Sequence, residues 1–278
     1  MVTPGILYHE LHTTEQLAQV YALEVAIWES TPADAVSAQV MSAITHNGGV
    51  VLGAATADDA ETLIGYAFGI PARRADSWWL WSYAAGVLPA YQGQGVGFGL
   101  KQAQRSWALA HGYSVIRWTF DPLQRANANF NFCKLGVTAD AYHVNLYGTM
   151  IDSINAGLPS DRFEVAWQLD DPRVLALASG AAQAVAAFAP PDDAQLLSQT
   201  TGGELLYRAS LLLGGQPLYV EIPLSIGDLK HTDLAQAQRW QLAFRQALQA
   251  ALAHGYIVTD FTAASGQSGR CWYRLDRS

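Results

Sequence analysis

Lysine is scarce in this chain: Lys101, Lys134 and Lys230 are the only three in 278 residues. With arginine the basic total is 16 against 24 acidic side chains, a net charge of −8. A chain so acidic lacks the basic footprint of a nucleic-acid binder, and an anionic membrane surface would repel it. No apolar run approaches the roughly 20 residues of a membrane span. The opening MVTPGILYHE lacks the basic start and long apolar stretch of a signal peptide. Cysteine occurs twice, as Cys133 and Cys271, and neither sits in a CxxC. That excludes a disulfide framework and leads us to expect the reducing cytoplasm, with Cys133 as a small buried apolar residue. The seven histidines include no HxH or HxxxH spacing, so no metal site is expected. Half of the residues are hydrophobic and only 14% are charged. The chain can therefore fill a core, and a disordered chain is not expected. Its length suits about one or two domains.

Up to about residue 170, strand and helix signals alternate. A strand is expected at Ile6–Leu11 and a helix at Thr14–Trp28, capped by Thr13 or Thr14. A second helix is expected from Pro32 to Thr45, ending at Asn47-Gly48-Gly49. Val50–Ala54 and Thr62–Phe68 read as a hairpin. A long strand, Trp78–Leu88, precedes a helix, Gln94–His111. Tyr113–Phe120 reads as a strand and Asn127–Leu135 as a short helix, with late strands at Tyr142–Leu146 and Phe163–Leu169. An Ala-rich stretch from Val174 to Ala189 reads as a linker helix. Beyond it, Glu204–Leu213 and Pro217–Pro223 flank Gly214-Gly215 as a hairpin signal. A strong helix, Leu234–His254, and a strand, Tyr256–Thr262, follow. The expected division is 1–170, a linker at 171–193, and an accessory α/β domain at 194–278.

The chain echoes itself. Leu109-Ala110-His111-Gly112-Tyr113 recurs as Leu252-Ala253-His254-Gly255-Tyr256, and seven of the eleven positions from Leu109 to Thr119 are identical at this offset. Duplication of a helix–strand unit and two ordinary glycine-ended junctions both explain this. At the same offset Gly93, Gly95 and Gly97 fall opposite Gln236, Gln238 and Trp240. A second unit would therefore lack the glycine loop.

That loop is the segment of the first unit with chemistry in it. From Gly86 to Leu100 a strand runs into glycines and then a helix. Glycines allow successive N–H groups to converge, and a helix start favours an anion. A phosphate is the natural guest. No Lys-Ser/Thr follows, as a Walker loop requires, and GxGxxG fails at Phe98 and at Leu100. Nucleotide binding is therefore disfavoured.

The loop reads Gln92-x-x-Gly95-x-Gly97 after Val87-x-Pro89, with Lys134-Leu135-Gly136-Val137 further on. In these residues the sequence resembles the GNAT acyltransferase superfamily, whose loop is (Gln/Arg)-x-x-Gly-x-(Gly/Ala). The resemblance covers about residues 1–170. It implies an α+β fold, a mixed and splayed β-sheet flanked by helices; the C-terminal α/β part lies beyond the resemblance and is, from the echo, a candidate degenerate half-repeat. It implies acetyl-CoA or another acyl-CoA as co-substrate. Pantetheine would lie along Val87 and Leu88, and the diphosphate on Gln92, Gly93, Gln94, Gly95, Val96 and Gly97. Asn127 resembles the family's asparagine on the CoA side. Between Arg74 and Lys101 there is no Lys or Arg, so the diphosphate would rest on amides. Lys101 and Arg105 share a helix face and are read either as reaching the outer phosphate or as a solvated face.

Acyl transfer to an amine requires a base and a donor for the oxyanion, for which a strand N–H beside the splay suffices. The resemblance places a tyrosine acid four residues before Gly136, but that position is Phe132. Asp121 is the first candidate base, with a plain turn before Pro122 as the alternative. Tyr83 and Ser82 lie near the expected carbonyl, and Tyr142 and His143 are weaker acid candidates. Trp79, Trp81 and Tyr83 share a strand face by alternation, as an acceptor wall or as core. The first 170 residues carry 8 basic and 15 acidic side chains, which favours a cationic acceptor. The expected activity is acyl-CoA-dependent N-acyltransfer to a small-molecule amine. The alternative is a non-catalytic acyl-CoA binder or scaffold. Neither nucleic acid nor membrane is expected as partner, and a homodimer is a candidate assembly.

Overall fold

The computed structural model describes residues 5–28, 31, 34–148, 150, 157–181, 188, 190–262 and 270–278. In chain order the elements are β1 (Ile6–Glu10), α1 (Thr14–Trp28), α2 (Ala38–His46), β2 (Val50–Thr56), β3 (Asp59–Arg74), β4 (Ser77–Val87), α3 (Val96–Ala110) and β5 (Val115–Phe120). Then come α4 (Arg125–Ala128), a π-turn over Asn129–Leu135, β6 (Thr138–His143), β7 (Arg162–Gln168) and α5 (Pro172–Ser179). The last group is β8 (Gln195–Gln199), β9 (Leu205–Tyr207), β10 (Leu218–Ile222), α6 (Ile226–Thr232), α7 (Leu234–Ala253), β11 (Tyr256–Thr262) and β12 (Cys271–Arg277). This is the α+β class expected from the sequence. Among the described residues, no helix is long and apolar enough to cross a membrane.

Two compact units divide the chain: residues 1–118 with 168–180, and residues 119–167 with 181–278. The expected boundary at residue 170 does not coincide with this division. Residues 119–167 pack with the C-terminal part because β6 pairs with β11 at Ala139↔Val258.

In the first unit β1, β2, β3 and β4 pair antiparallel in that order, and β4 pairs parallel with β5. Apolar side chains at helical spacing on α1, Leu17, Val20 and Leu23, join Met41 of α2 on Val51, Tyr66 and Phe68. Burial of that cluster favours folding of this half. A Cβ on Gly65, the neighbour of Tyr66, would meet Leu100 of α3. By strand alternation α3 therefore covers the opposite face. α2 starts at Ala38, capped by Ser37; the expected start at Pro32 lies outside the described residues. α5 is capped by Asp171 and closed by Gly180, and the rest of the expected linker helix lies almost wholly outside the described residues.

In the second unit the strand order is β7-β6-β11-β12-β10-β8-β9. Its core is aromatic: Phe163 lies 5.9 Å from Phe120, 5.8 Å from Phe244 and 5.3 Å from Tyr273, centroid to centroid. The hairpin expected around Gly214-Gly215 is not formed. Residues 209–213 wind into a 3-10 turn, so β9 pairs with β8 while β10 pairs with β12 and β8. The late strand expected at Tyr142–Leu146 lies earlier, at Thr138–His143.

The echo is geometric as well as textual. α3 ends on His111 and α7 on His254, and each imidazole Nδ1 lies 2.8 Å from the carbonyl four residues back. Gly112 and Gly255 follow at φ 81° and 79°, a conformation that costs a side chain but not glycine.

Candidate functional site

The sheet of the first unit is open where β4 and β5 part. Their parallel ladder consists of Leu80↔Ile116 and Trp81↔Arg117 and goes no further, although β4 runs on to Val87. Along its other edge β4 stays paired with β3 through Val87↔Gly65. Among the described residues, β4 pairs with no residue of β5 beyond Trp81. The β3–β4 register slips at the same point: Phe68 faces Ala84, and Gly69 faces Ser82. Tyr83 is the extra residue of a bulge, a feature that re-aims backbone and side chain. Its ring is 54% exposed and stacks on Phe68 at 5.1 Å.

Past the open strand the chain turns through Pro89–Tyr91 into the glycine loop. Gly93 and Gly95 have φ 73° and 85°, and Gly95 is the N-cap of α3. The first N–H to find a helical partner is that of Gly99, on the Gly95 carbonyl at 2.9 Å. Those of Val96, Gly97 and Phe98 precede it and point out of the helix start. The loop is braced by its own amides: Gln92 Nε2 donates to the Val87 carbonyl at 2.9 Å, and Gln94 Nε2 to that of Ala90 at 2.8 Å. A Cβ on Gly93 would meet nothing within 4 Å, and one on Gly97 only Val87 at 3.8 Å. The cradle is open and built of N–H groups, which fits a diphosphate. At Leu88 the N–H already donates to the Ile64 carbonyl, so pantetheine would find one backbone donor fewer there.

One expectation is corrected. Lys101 and Arg105 do not form a solvated pair reaching for a phosphate. Position 101 falls on the buried stripe of α3 with Leu100, Gln104 and Trp107, and Lys101 is only 5% exposed. Its Nζ donates to Ser82 Oγ at 3.0 Å and Gln104 Oε1 at 2.9 Å, 3.8 Å from the Trp118 ring centroid. Burial brings this ammonium down to about 7. Arg105 donates to the Leu169 carbonyl at 2.6 Å, and burial lowers it too.

Asp121 and Asn127 belong to the second unit, whereas Tyr83 and the loop belong to the first. Asp121 directly follows β5. Its Oδ1 accepts the Leu123 N–H at 2.9 Å and its Oδ2 the Gln124 amide at 3.2 Å. Burial raises its carboxyl above the usual aspartate range, against the Leu123 N–H, Arg162, Gln124 and Lys230, which lower it. Asn127 is exposed on α4. Phe132 is fully buried and packs against Tyr273 at 5.6 Å, so no proton donor stands there. Tyr142 donates to Asp161 at 2.5 Å, and Arg245 holds the same carboxylate through two bonds of 2.8 and 2.9 Å. His143 pairs with buried Glu164 at 2.9 Å. The Cys133 thiol is buried and donates to the Phe261 carbonyl at 2.9 Å. Trp79 lies under two guanidinium groups, Arg74 at 5.6 Å and Arg117 at 5.9 Å, a pairing that charge counting along the chain did not foresee. Among the described residues, no three His, Cys, Asp or Glu side chains group as metal ligands.

Residues 13–136 match the family model of the acetyltransferase (GNAT) family. This segment is a GNAT acetyltransferase domain. GNAT acetyltransferases use acetyl-CoA as co-substrate. Solved structures with a similar chain trace include an aminoglycoside 6′-acetyltransferase type Ii, 17% identical over 59% of this chain and 98% of its own, TM-score 0.46. A putative acetyltransferase, yncA of Salmonella typhimurium, solved with acetyl-CoA, is 19% identical over 60% and 95%, TM-score 0.45. The NatC complex bound to Gag peptide and CoA contributes a chain 15% identical over 59% and 98%, TM-score 0.47. Among curated proteins, no significant match to this sequence was found.

Proposed function

We propose that the GNAT domain transfers an acetyl group from acetyl-CoA to the amine of a small molecule. The observation that carries this reading is the β4–β5 ladder stopping at Trp81↔Arg117, with an open N–H cradle at the far end of the freed strand. Gln92 to Gly97 hold the diphosphate, and the free edge of β4 up to Val87 and Leu88 holds pantetheine. Asn127 is assigned to CoA binding by the family resemblance alone. Acetyl-CoA supplies the activated acyl group. The bulge at Tyr83 aims a backbone N–H at the carbonyl oxygen, where negative charge develops. Asp121, raised by burial, takes the proton of the attacking amine. Two buried cysteines outside any disulfide suit the reducing cytoplasm.

Phe132 supports a second reading, an acyl-CoA binder without turnover. Calorimetry with acetyl-CoA, then thiol release in the presence of a panel of primary amines, separates the two. Binding with amine-dependent thiol release is expected. Binding without release for every amine supports the second reading, and no binding at all overturns both.

A further inference from the structure

The parting of β4 and β5 has a counterpart within the second unit. β8 and β10 run parallel, and their ladder, Tyr219↔Gln195 and Val220↔Leu197, goes no further among the described residues. The strands themselves continue to Gln199 and Ile222. A cavity of about 320 Å³ opens there, against Gln199 of β8 and Glu221 and Ile222 of β10. It lies at the carboxyl ends of two parallel strands, the end at which open sheets bind ligands. Its volume is that of about ten water molecules, near the lower end of the range for ligand pockets.

An ion pair stands in the gap. Glu221 is 5% exposed, and its carboxylate accepts the Gln199 N–H at 2.7 Å and the Arg270 Nε–H at 2.7 Å. Arg270 Nη2 donates to the same carboxylate and to the Gln199 carbonyl at 2.8 Å. The guanidinium also lies on the Trp272 ring, 4.7 Å from its centroid. It is thus held in place, and its Nη1 makes no hydrogen bond among the described residues. A guanidinium fixed along one edge is preorganised to donate from the rest. Thr200 and Thr201 line the same cavity. The Thr200 hydroxyl accepts the Glu204 N–H at 3.2 Å, which leaves its own proton to donate. The remaining wall is apolar: Pro223, Leu224 and Trp240, the last being the residue that the echo sets opposite Gly97.

We propose that this cavity binds a small carboxylic acid with an apolar body. Its carboxylate takes the Nη1 protons of Arg270 and the threonine hydroxyls, and its body packs on Leu224 and Trp240. With Glu221 engaged by Gln199 and Arg270, the guanidinium is the charged group left to the ligand, and it selects an oxyanion over an amine. The site is separate from the proposed acetyl transfer and would stand if the first unit bound no acetyl-CoA.

Hexanoate is the probe, with hexanol as the uncharged control and the full chain as the protein. Calorimetry at millimolar ligand should show one hexanoate site per chain, preferred over hexanol by at least about tenfold, the scale of a hydrogen bond to a charged group. Arg270→Lys keeps a cation opposite Glu221 and removes the Nη1 donor, so it should abolish the preference and leave hexanol binding unchanged. Leu224→Trp changes an exposed residue and fills the cavity, so it should abolish the binding of both. Acetyl-CoA affinity should be the same in all three proteins. No binding of hexanoate, equal affinity for hexanoate and hexanol, or hexanoate binding that neither variant changes overturns the inference. If Arg270→Lys does not fold, Leu224→Trp and the hexanol control decide, because they leave the ion pair intact.

Discussion

Asp121 Oδ1 accepts the N–H of Leu123 at 2.9 Å, closing a turn on which Pro122 also offers its carbonyl to the buried Tyr273 hydroxyl at 2.6 Å. The candidate base is thus also a turn residue. Asp121→Asn separates the roles, because asparagine makes the same turn. As base, Asp121 contributes about 10²-fold or more, so the acetyl-transfer rate should fall by that much while CoA affinity holds. Stability moves the other way. Burial raises the folded carboxyl, so between the ordinary aspartate range and the raised value the folded state binds more protons than the unfolded. Wild-type stability is then lost as pH rises through that window. Urea unfolding should show Asp121→Asn gaining on wild type from acid to neutral pH. An unchanged rate would remove Asp121 from the chemistry.

Gly97→Val is a clean probe of the loop. Its Cβ meets only Val87 at 3.8 Å, so the fold should hold and the added side chain should fill the anion cradle. We expect CoA affinity to fall by at least about tenfold, the loss of one or two charge-assisted hydrogen bonds, with little change in the urea midpoint. Gly95→Val is a poorer probe. At φ 85° a side chain costs about 1–2 kcal/mol or more, so binding and stability should fall together. Calorimetry should give one CoA per chain, because the echo places Gln236, Gln238 and buried Trp240 of α7 where the loop has glycines.

Most local structure around the loop was legible, because Gly93, Gly95 and Gly112 adopt the left-handed backbone that their sequence context implies. Leu234–Ala253 and Tyr256–Thr262 were legible for the same reason, through Gly255. Long-range pairing was not. Gly214-Gly215 carries a turn signal, but nothing local says that Leu218–Ile222 pairs with Cys271–Arg277 instead of with Leu205–Tyr207. The strand Cys271–Arg277 went unseen because its first three residues are all buried and alternation starts only at Arg274 and Asp276, too short a stretch to read as a strand. Lys101 was misplaced because a helical lysine four residues from an arginine reads as a solvated face. Its place on the stripe of Leu100, Gln104 and Trp107 was the signal available.

Gly99 and Tyr8 test the packing of α3 on β1. A Cβ at Gly99 would lie 2.1 Å from the Tyr8 hydroxyl and 2.2 Å from its ring. Gly99→Ala should therefore cost about 1–3 kcal/mol, the range for overpacking, despite the better helix propensity of alanine. In a Tyr8→Ala background the same change should cost nothing or stabilise by up to about 1 kcal/mol. Additive effects in this urea-based cycle would show that the contact does not exist in solution. Tyr8→Phe alone should be neutral or stabilising, because the hydroxyl is buried without a hydrogen-bond partner among the described residues.

Lys101→Met tests the buried ammonium without any ligand. Burial brings the folded value down to about 7 from the ordinary 10.5. Between these values the unfolded chain holds the proton and the folded protein does not. The unfolded state then binds more protons, so wild-type stability should rise with pH across that window. Below it both states are charged and the full cost of burying the charge is paid; above it both are neutral and the cost is gone. Other groups titrate alike in the variant, so the difference between the two proteins isolates position 101. Urea unfolding at a series of pH values should show wild type gaining on Lys101→Met by up to about 1.4 kcal/mol per pH unit, the value of one proton. Methionine is apolar, unbranched and adaptable in cores, so the variant should fold and be the more stable protein near neutral pH. A difference that stays flat from neutral to alkaline pH would mean that the ammonium keeps its ordinary value and is hydrated in solution.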